Sequence, residues 1–154
     1  MNPEVEPRTV LLSAAVLVLD AEHRALTLWS NTYGGVTLPG GKGEPEDPSP
    51  RHTAVRELAE ETGLVVGIEA LWLLYTAVVR FRLRDGSPAP ARETHLFYAQ
   101  RVTGRARSTA ADRPLGWCDY SKLIAVAPAF YADFYKAALP PNRGFALFQP
   151  TEGV

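Results

Sequence analysis

Three glutamates, Glu57, Glu60 and Glu61, stand at i, i+3 and i+4 in the chain. On a helix that spacing puts all three carboxylates on one face. Like charges on one stripe repel, so the arrangement requires a counter-charge. Arg56 can pair with Glu60 at i+4, but one guanidinium does not neutralise three carboxylates. A hard divalent cation does, and such cations prefer carboxylate and carbonyl oxygens.

The neighbouring residues predict how the acids are held. Ser49 is a suitable N-cap, Pro50 a suitable first helical residue and Gly63 a suitable stop, giving a helix of about residues 50–62. Val55, Leu58, Ala59 and Thr62 fall at the spacing of a buried stripe on its other side. Upstream, residues 36–38 read as a short strand ending in a Pro39-Gly40-Gly41 turn, where glycine lets backbone carbonyls approach a bound ion closely.

Taken together, these residues resemble the Nudix box: Gly, five residues, Glu, seven residues, Arg-Glu-apolar-any-Glu-Glu-any-Gly-apolar. The second half is complete in Arg56-Glu57-Leu58-Ala59-Glu60-Glu61-Thr62-Gly63-Leu64. The first half departs from the pattern. With five residues between them, Gly41 is followed by Asp47 rather than Glu, and eight residues then precede Arg56. The extra residue belongs in the loop between Gly41 and Ser49. Inside the helix it would rotate the acids by about 100°. Either Glu46 or Asp47 can replace the first glutamate of the box.

The resemblance implies hydrolysis of a diphosphate linkage, a reaction that needs cations on phosphate oxygens, an in-line water and a base. It implies Arg56, Glu57, Glu60 and Glu61 as catalytic residues. Glu57, Glu60, Glu61 and the Gly40 carbonyl would hold Mg2+ or Mn2+, with Arg56 positioning the glutamates. Lys42 would reach a substrate phosphate, Tyr33 is the best base-stacking candidate ahead of Trp29, Phe81 and Trp117, and Glu93 is the candidate acid from outside the box, with Asp112 its rival. The expected substrate is a small-molecule nucleotide, first a nucleoside triphosphate cleaved to the monophosphate and pyrophosphate. A nucleoside diphosphate joined to a sugar or another nucleotide comes second, and a non-catalytic nucleotide-binding domain third. Near residues 78–80 the chain lacks the proline of ADP-ribose types and the tyrosine of diadenosine-polyphosphate types, and the upstream signature of the coenzyme A type is missing. Pro128 and Ala129 stand where some oxidised-purine enzymes keep base-reading acids.

The 154 residues make one domain's worth of chain, with a formal net charge of −1 that gives no electrostatic case for nucleic acid or a membrane surface. A single cysteine, Cys118, fits a reducing compartment, and no apolar run approaches membrane-spanning length, so a cytoplasmic location is expected. The sequence leaves a homodimer open. Arg80, Arg82 and Arg84 alternate, which on a strand would make either a solvated face or a phosphate-facing patch.

In chain order, residues 1–8 read as a flexible lead-in, 9–148 as one domain and 149–154 as a mobile tail. Strands are predicted over 10–19, 25–29 (returning as a hairpin partner), 65–68, 71–83, 93–102, 115–118 and 144–148, and residues 31–35 as a flexible loop. Helical segments follow at 121–124 and 128–139. Strands on both sides of one helix and a second helix near the end predict an α/β fold. The resemblance narrows this to an α/β/α sandwich with a mixed β-sheet between helices.

Overall fold

The computed structural model describes residues 11–154. The lead-in at 1–8 and the first residue of the 10–19 run lie outside the described residues. Two sheets and three α-helices are built, in chain order, from β1 (Leu12–Leu17), β2 (Ala25–Ser30), β3 (Gly35–Thr37), β4 (Gly40–Lys42), α1 (Pro50–Thr62), β5 (Leu71–Val79), β6 (Arg92–Ala99), β7 (Leu115–Cys118), α2 (Tyr120–Val126) and α3 (Ala129–Ala138).

The larger sheet has the order β4-β1-β6-β5 and is mixed: β1 and β6 run parallel, while β4 and β5 are antiparallel to their neighbours. Its central strands are apolar on both faces, as strands covered on both sides must be. Ala14, Val16 and Val18 join Phe97 and Ala99 in the core under Leu58 of α1. The alternate residues Ala15, Leu17, Leu96 and Tyr98 join the core containing Phe134 and Tyr135 of α3. The mixed sheet therefore lies between α1 and α3. The buried hydroxyls of Ser13 and Thr94 satisfy each other at 2.7 Å.

The second sheet, β3-β2-β7, is antiparallel. Here the structure departs from the expected hairpin of residues 10–19 with 25–29. The Asp20 carboxylate accepts from the N–H groups of Glu22 and Arg24 at 3.0 and 2.8 Å, and His23 adopts φ 57°. The tight turn leaves only a bridge between Leu19 and Ala25, after which β2 departs to pair with β3 and β7.

Other expectations are corrected locally. Residues 65–68 form no strand: Val65 makes an isolated bridge to Thr103, and Ile68–Ala70 is a 3-10 turn. The long strand expected over 71–83 stops at Val79, with a bulge between Leu73 and Tyr75. Arg80, Arg82 and Arg84 thus lie past the strand and are exposed, Arg82 donating to the Gly86 carbonyl at 3.2 Å. Gly144–Leu147 is a 3-10 helix rather than a strand. Of residues 31–35, the first four form a tight turn, closed by Gly34 N–H on the Ser30 carbonyl at 2.8 Å, and Gly35 opens β3. The end of the chain, expected to be mobile, is tied into the sheet. Buried Thr151 accepts from Leu19 N–H at 3.0 Å and donates to the Ala99 carbonyl at 2.8 Å, and Tyr98 donates to the Gln149 carbonyl.

Candidate active site

Helix α1 is capped as its sequence dictates. Ser49 Oγ accepts from His52 N–H at 3.4 Å, Pro50 takes the first position, and Gly63 ends the helix at φ 77° with its N–H on the Ala59 carbonyl. The buried stripe is Thr53, Ala54, Leu58 and Thr62. Val55 and Ala59, expected within it, are only half-buried. The loop after Val102 fastens the far end. Arg107 N–H bonds the Thr62 carbonyl at 2.9 Å, and the Thr109 hydroxyl bonds the Glu60 carbonyl at 2.6 Å. Both carbonyls belong to the last turn, which lacks partners within the helix.

The expected Pro-Gly-Gly turn continues as an edge strand. Gly40–Lys42 pairs with β1, and a Cβ on Gly40 would collide with the Ala14 carbonyl. Gly40 N–H donates to Glu61 Oε1 at 2.7 Å. A Cβ on Gly41 would fall 2.6 Å from the Glu57 carboxylate. The two glycines thus serve different ends: one lets two strands meet, the other leaves room beside an acid.

The three glutamates are not equivalent. Glu57 and Glu61 are 15% and 12% exposed and line a cleft of about 280 Å3, whereas Glu60 is 56% exposed and outside that lining. Burial pushes the Glu57 carboxyl up, with Arg56 opposing. It pushes Glu61 up to about 7, against the pull of the Gly40 N–H, and Glu57 adds repulsion. Arg113 offers Glu61 a partner at 3.4 Å.

Arg56 is the hub of the acid face. It bonds Asp47 at 2.8 Å, Glu57 at 3.0 Å, Glu60 at 3.1 Å and the Lys42 carbonyl at 3.0 Å. Asp47 is 8% exposed and also accepts from Thr53 Oγ1 at 2.9 Å. Arg56 above all holds the Asp47 carboxyl well below the usual carboxylate range. Of the two acids left open by the loop insertion, Asp47 makes these contacts, while Glu46 is exposed.

Other candidates are placed less centrally. Lys42 contributes its carbonyl to Arg56, and the residue lines a separate surface groove with Glu44, Pro45 and Asp47. Tyr33 lines the cleft, but its ring is packed edge-on to Phe130 at 5.4 Å and tilted against Phe81 at 5.5 Å. Glu93 sits in register with Leu12 and Val78, outside the cleft lining, whereas its rival Asp112 is part of that lining. Trp29 is also in the lining, its Nε1 donating to Asn31 Oδ1 at 3.0 Å, and Trp117 packs against the α1-side core instead. Sequence reasoning missed Arg92 and Arg113. Both line the cleft, and neither lies within a recognisable motif.

The donors suit a hard cation. They are carboxylate oxygens, two of them largely buried, and Gly41 leaves beside Glu57 the space that a side chain would fill. Among the described residues no three acids are gathered into a formed metal cage. Arg56 draws Glu57 and Glu60 to itself.

A NUDIX domain matches residues 10–138. The chain belongs to the Nudix hydrolase family. The human mitochondrial coenzyme A diphosphatase NUDT8 is 44% identical over 55 residues, covering 36% of this Nudix chain and 23% of that protein. The chain thus matches under a quarter of the length of this curated relative. Among solved structures, a MutT from work on Aliivibrio salmonicida and Vibrio cholerae superposes with a TM-score of 0.65 at 18% identity, covering 90% of this chain and 98% of that one. The Nudix domain of Shewanella oneidensis NrtR, solved with ADP ribose, gives 0.63 at 20% identity, covering 86% and 88%. At such identities the likeness establishes a shared fold. No helix among the described residues is long and apolar enough to cross a membrane.

Proposed function

We propose that this Nudix hydrolase is a divalent-cation-dependent pyrophosphohydrolase that cleaves a diphosphate linkage in a small-molecule nucleotide, with nucleoside triphosphates as first substrates. The observation that carries the reading is the pairing of Glu57 and Glu61 in the wall of one cleft, beside glycines that give access to them. Glu57, Glu60, Glu61 and the Gly40 carbonyl are assigned to hold Mg2+ or Mn2+. When bound, the cation neutralises phosphate oxygens and polarises the bond to be broken. Arg56 sets the rotamers of Glu57 and Glu60. Burial raises the Glu61 carboxyl in the metal-free chain, and a cation bound beside it would offset that cost and keep it ionised. Lys42, which is outside the lining of the cleft, receives no role.

A second reading keeps the same chemistry with a larger leaving group. It is favoured by the similarity to a coenzyme A diphosphatase and by an ADP-ribose-bound structure of the same fold. A nucleotide panel with Mg2+ and Mn2+ separates the two. Pyrophosphate released from triphosphates supports the first, and two monophosphate-type products from dinucleotides, ADP ribose or coenzyme A support the second. Tight nucleotide binding with no turnover across the panel would leave a binding domain and refute both.

A further inference from the structure

Arg92 opens β6 and shares the sheet face of Thr94, Leu96 and Tyr98, which looks toward α3. Its guanidinium lies 4.8 Å from the centre of the Phe81 ring, and it lines the same cleft as Glu57 and Glu61. Its Nε is shielded from solvent and has no hydrogen-bond partner. The contrast with the other arginine of the cleft is informative. Arg113 reaches Glu61 at 3.4 Å, while no carboxylate among the described residues pairs with Arg92.

A guanidinium that is partly desolvated and lacks an anion is costly, and an aromatic ring beneath it offsets only part of that cost. The Phe81 ring beneath the guanidinium carbon offers no anion and no oxygen acceptor, so the N–H donors of Arg92 are not spent on it. Those N–H groups form a fork that matches two oxygens of one phosphate. A diphosphate lying against the acids of α1 carries more negative charge than one wall of the cleft can answer. The geometry points to Arg92 as the anion anchor of the cleft, donating to phosphoryl oxygens of the bound diphosphate across from Glu57 and Glu61. This rests on the cleft being the substrate site proposed above.

The test uses inorganic pyrophosphate and ADP as probes, titrated calorimetrically into the full chain with and without Mg2+. Mn2+ binding followed by paramagnetic resonance serves as the control. Arg92→Met keeps the packing on Phe81 and is expected to weaken both probes tenfold or more, with Mn2+ affinity unchanged. Arg92→Lys, which keeps the charge but not the fork, is expected to recover part of the loss. Binding of both probes by Arg92→Met within twofold of the original protein would overturn the assignment, as would a parallel loss of Mn2+ affinity. Should Arg92→Met fail to fold, arginine-specific phenylglyoxal labelling of the unmutated chain decides. Pyrophosphate should shield Arg92 and spare Arg80, Arg82 and Arg84, and an unshielded Arg92 refutes the idea. A protein that turns over no nucleotide yet binds ADP through Arg92 would remove the hydrolase reading and leave the anchor standing.

Discussion

Glu61→Gln should make the metal-free protein more stable while abolishing its activity. The folded state holds Glu61 at about 7 against an ordinary 4.5, chiefly because the carboxylate is buried. Its folded-state pKa is raised, so above pH 7 the ionised group destabilises the fold. In the window between 4.5 and 7 the native state binds more protons than the unfolded chain, and the penalty disappears as pH falls. Full relief of a shift of this size corresponds to at most about 3 kcal/mol at pH 8. Relaxation around the site and the loss of Arg113 as a partner reduce the expected gain to about 1–2 kcal/mol. For a chain of this length that is a rise in Tm of roughly 2–8 °C. The amide oxygen of glutamine can still accept from Gly40 N–H, so the backbone contact survives. The assay is thermal melting with EDTA at pH 8 and pH 5, together with turnover in Mg2+. The variant should melt higher at pH 8, and the gap should close by pH 5. Mg2+ should raise the Tm of the original protein more than that of the variant. A variant that melts lower at pH 8, or one that retains full turnover, would refute the electrostatic account.

Three further outcomes follow from neighbouring contacts. Asp47→Asn removes the main partner of Arg56 and should cost about 2–4 kcal/mol in denaturant melts, whereas Glu46→Gln should change stability by less than about 0.5 kcal/mol. Because the Asp47 pKa is depressed in the folded state, its contribution is complete above the unfolded value near 4 and fades as pH falls below it, so the difference between Asp47→Asn and the original protein should shrink in acid. Gly41→Ala places a methyl group 2.6 Å from the Glu57 carboxylate and should cut turnover at least tenfold with a loss of Mn2+ affinity. Unchanged kinetics would show that Glu57 can be displaced without consequence. Thr151→Val leaves Leu19 N–H without its side-chain acceptor and should destabilise by about 1–3 kcal/mol, a value that hydrogen exchange at Leu19 can localise.

The sequence carried the helix and its caps because those signals are local. Ser49, Pro50 and Gly63 each act on residues no more than four positions away. It carried the two-faced strands β1 and β6 because continuous apolar runs record burial directly. It did not carry the departure of β2 into a second sheet, which depends on the Asp20 turn and on partners from β3 and β7. Nor did it carry the anchoring of residues 149–152, since threonine and glutamine look like solvent-exposed residues until their long-range partners are known. At the site, the box acids were legible as a motif, but their inequality was not. Glu57, Glu60 and Glu61 share one face of the helix, but Glu60 lies farthest round from the buried stripe, and β4 closes over the other two. Arg92 was invisible for the opposite reason: an isolated arginine at a strand start carries no pattern, and only the missing partner in three dimensions distinguishes it.

The crowded coordination of Arg56 also bears on how a metal would arrive. A cleft lined only with carboxylates would fill like an empty ion trap, with affinity set by charge alone. Here Glu57 and Glu60 already share one guanidinium, and Asp47 holds that guanidinium from behind. Metal capture would then be a competition between two cations for the same oxygens, with the Arg56 guanidinium as the counter-ion to be displaced from Glu57 and Glu60.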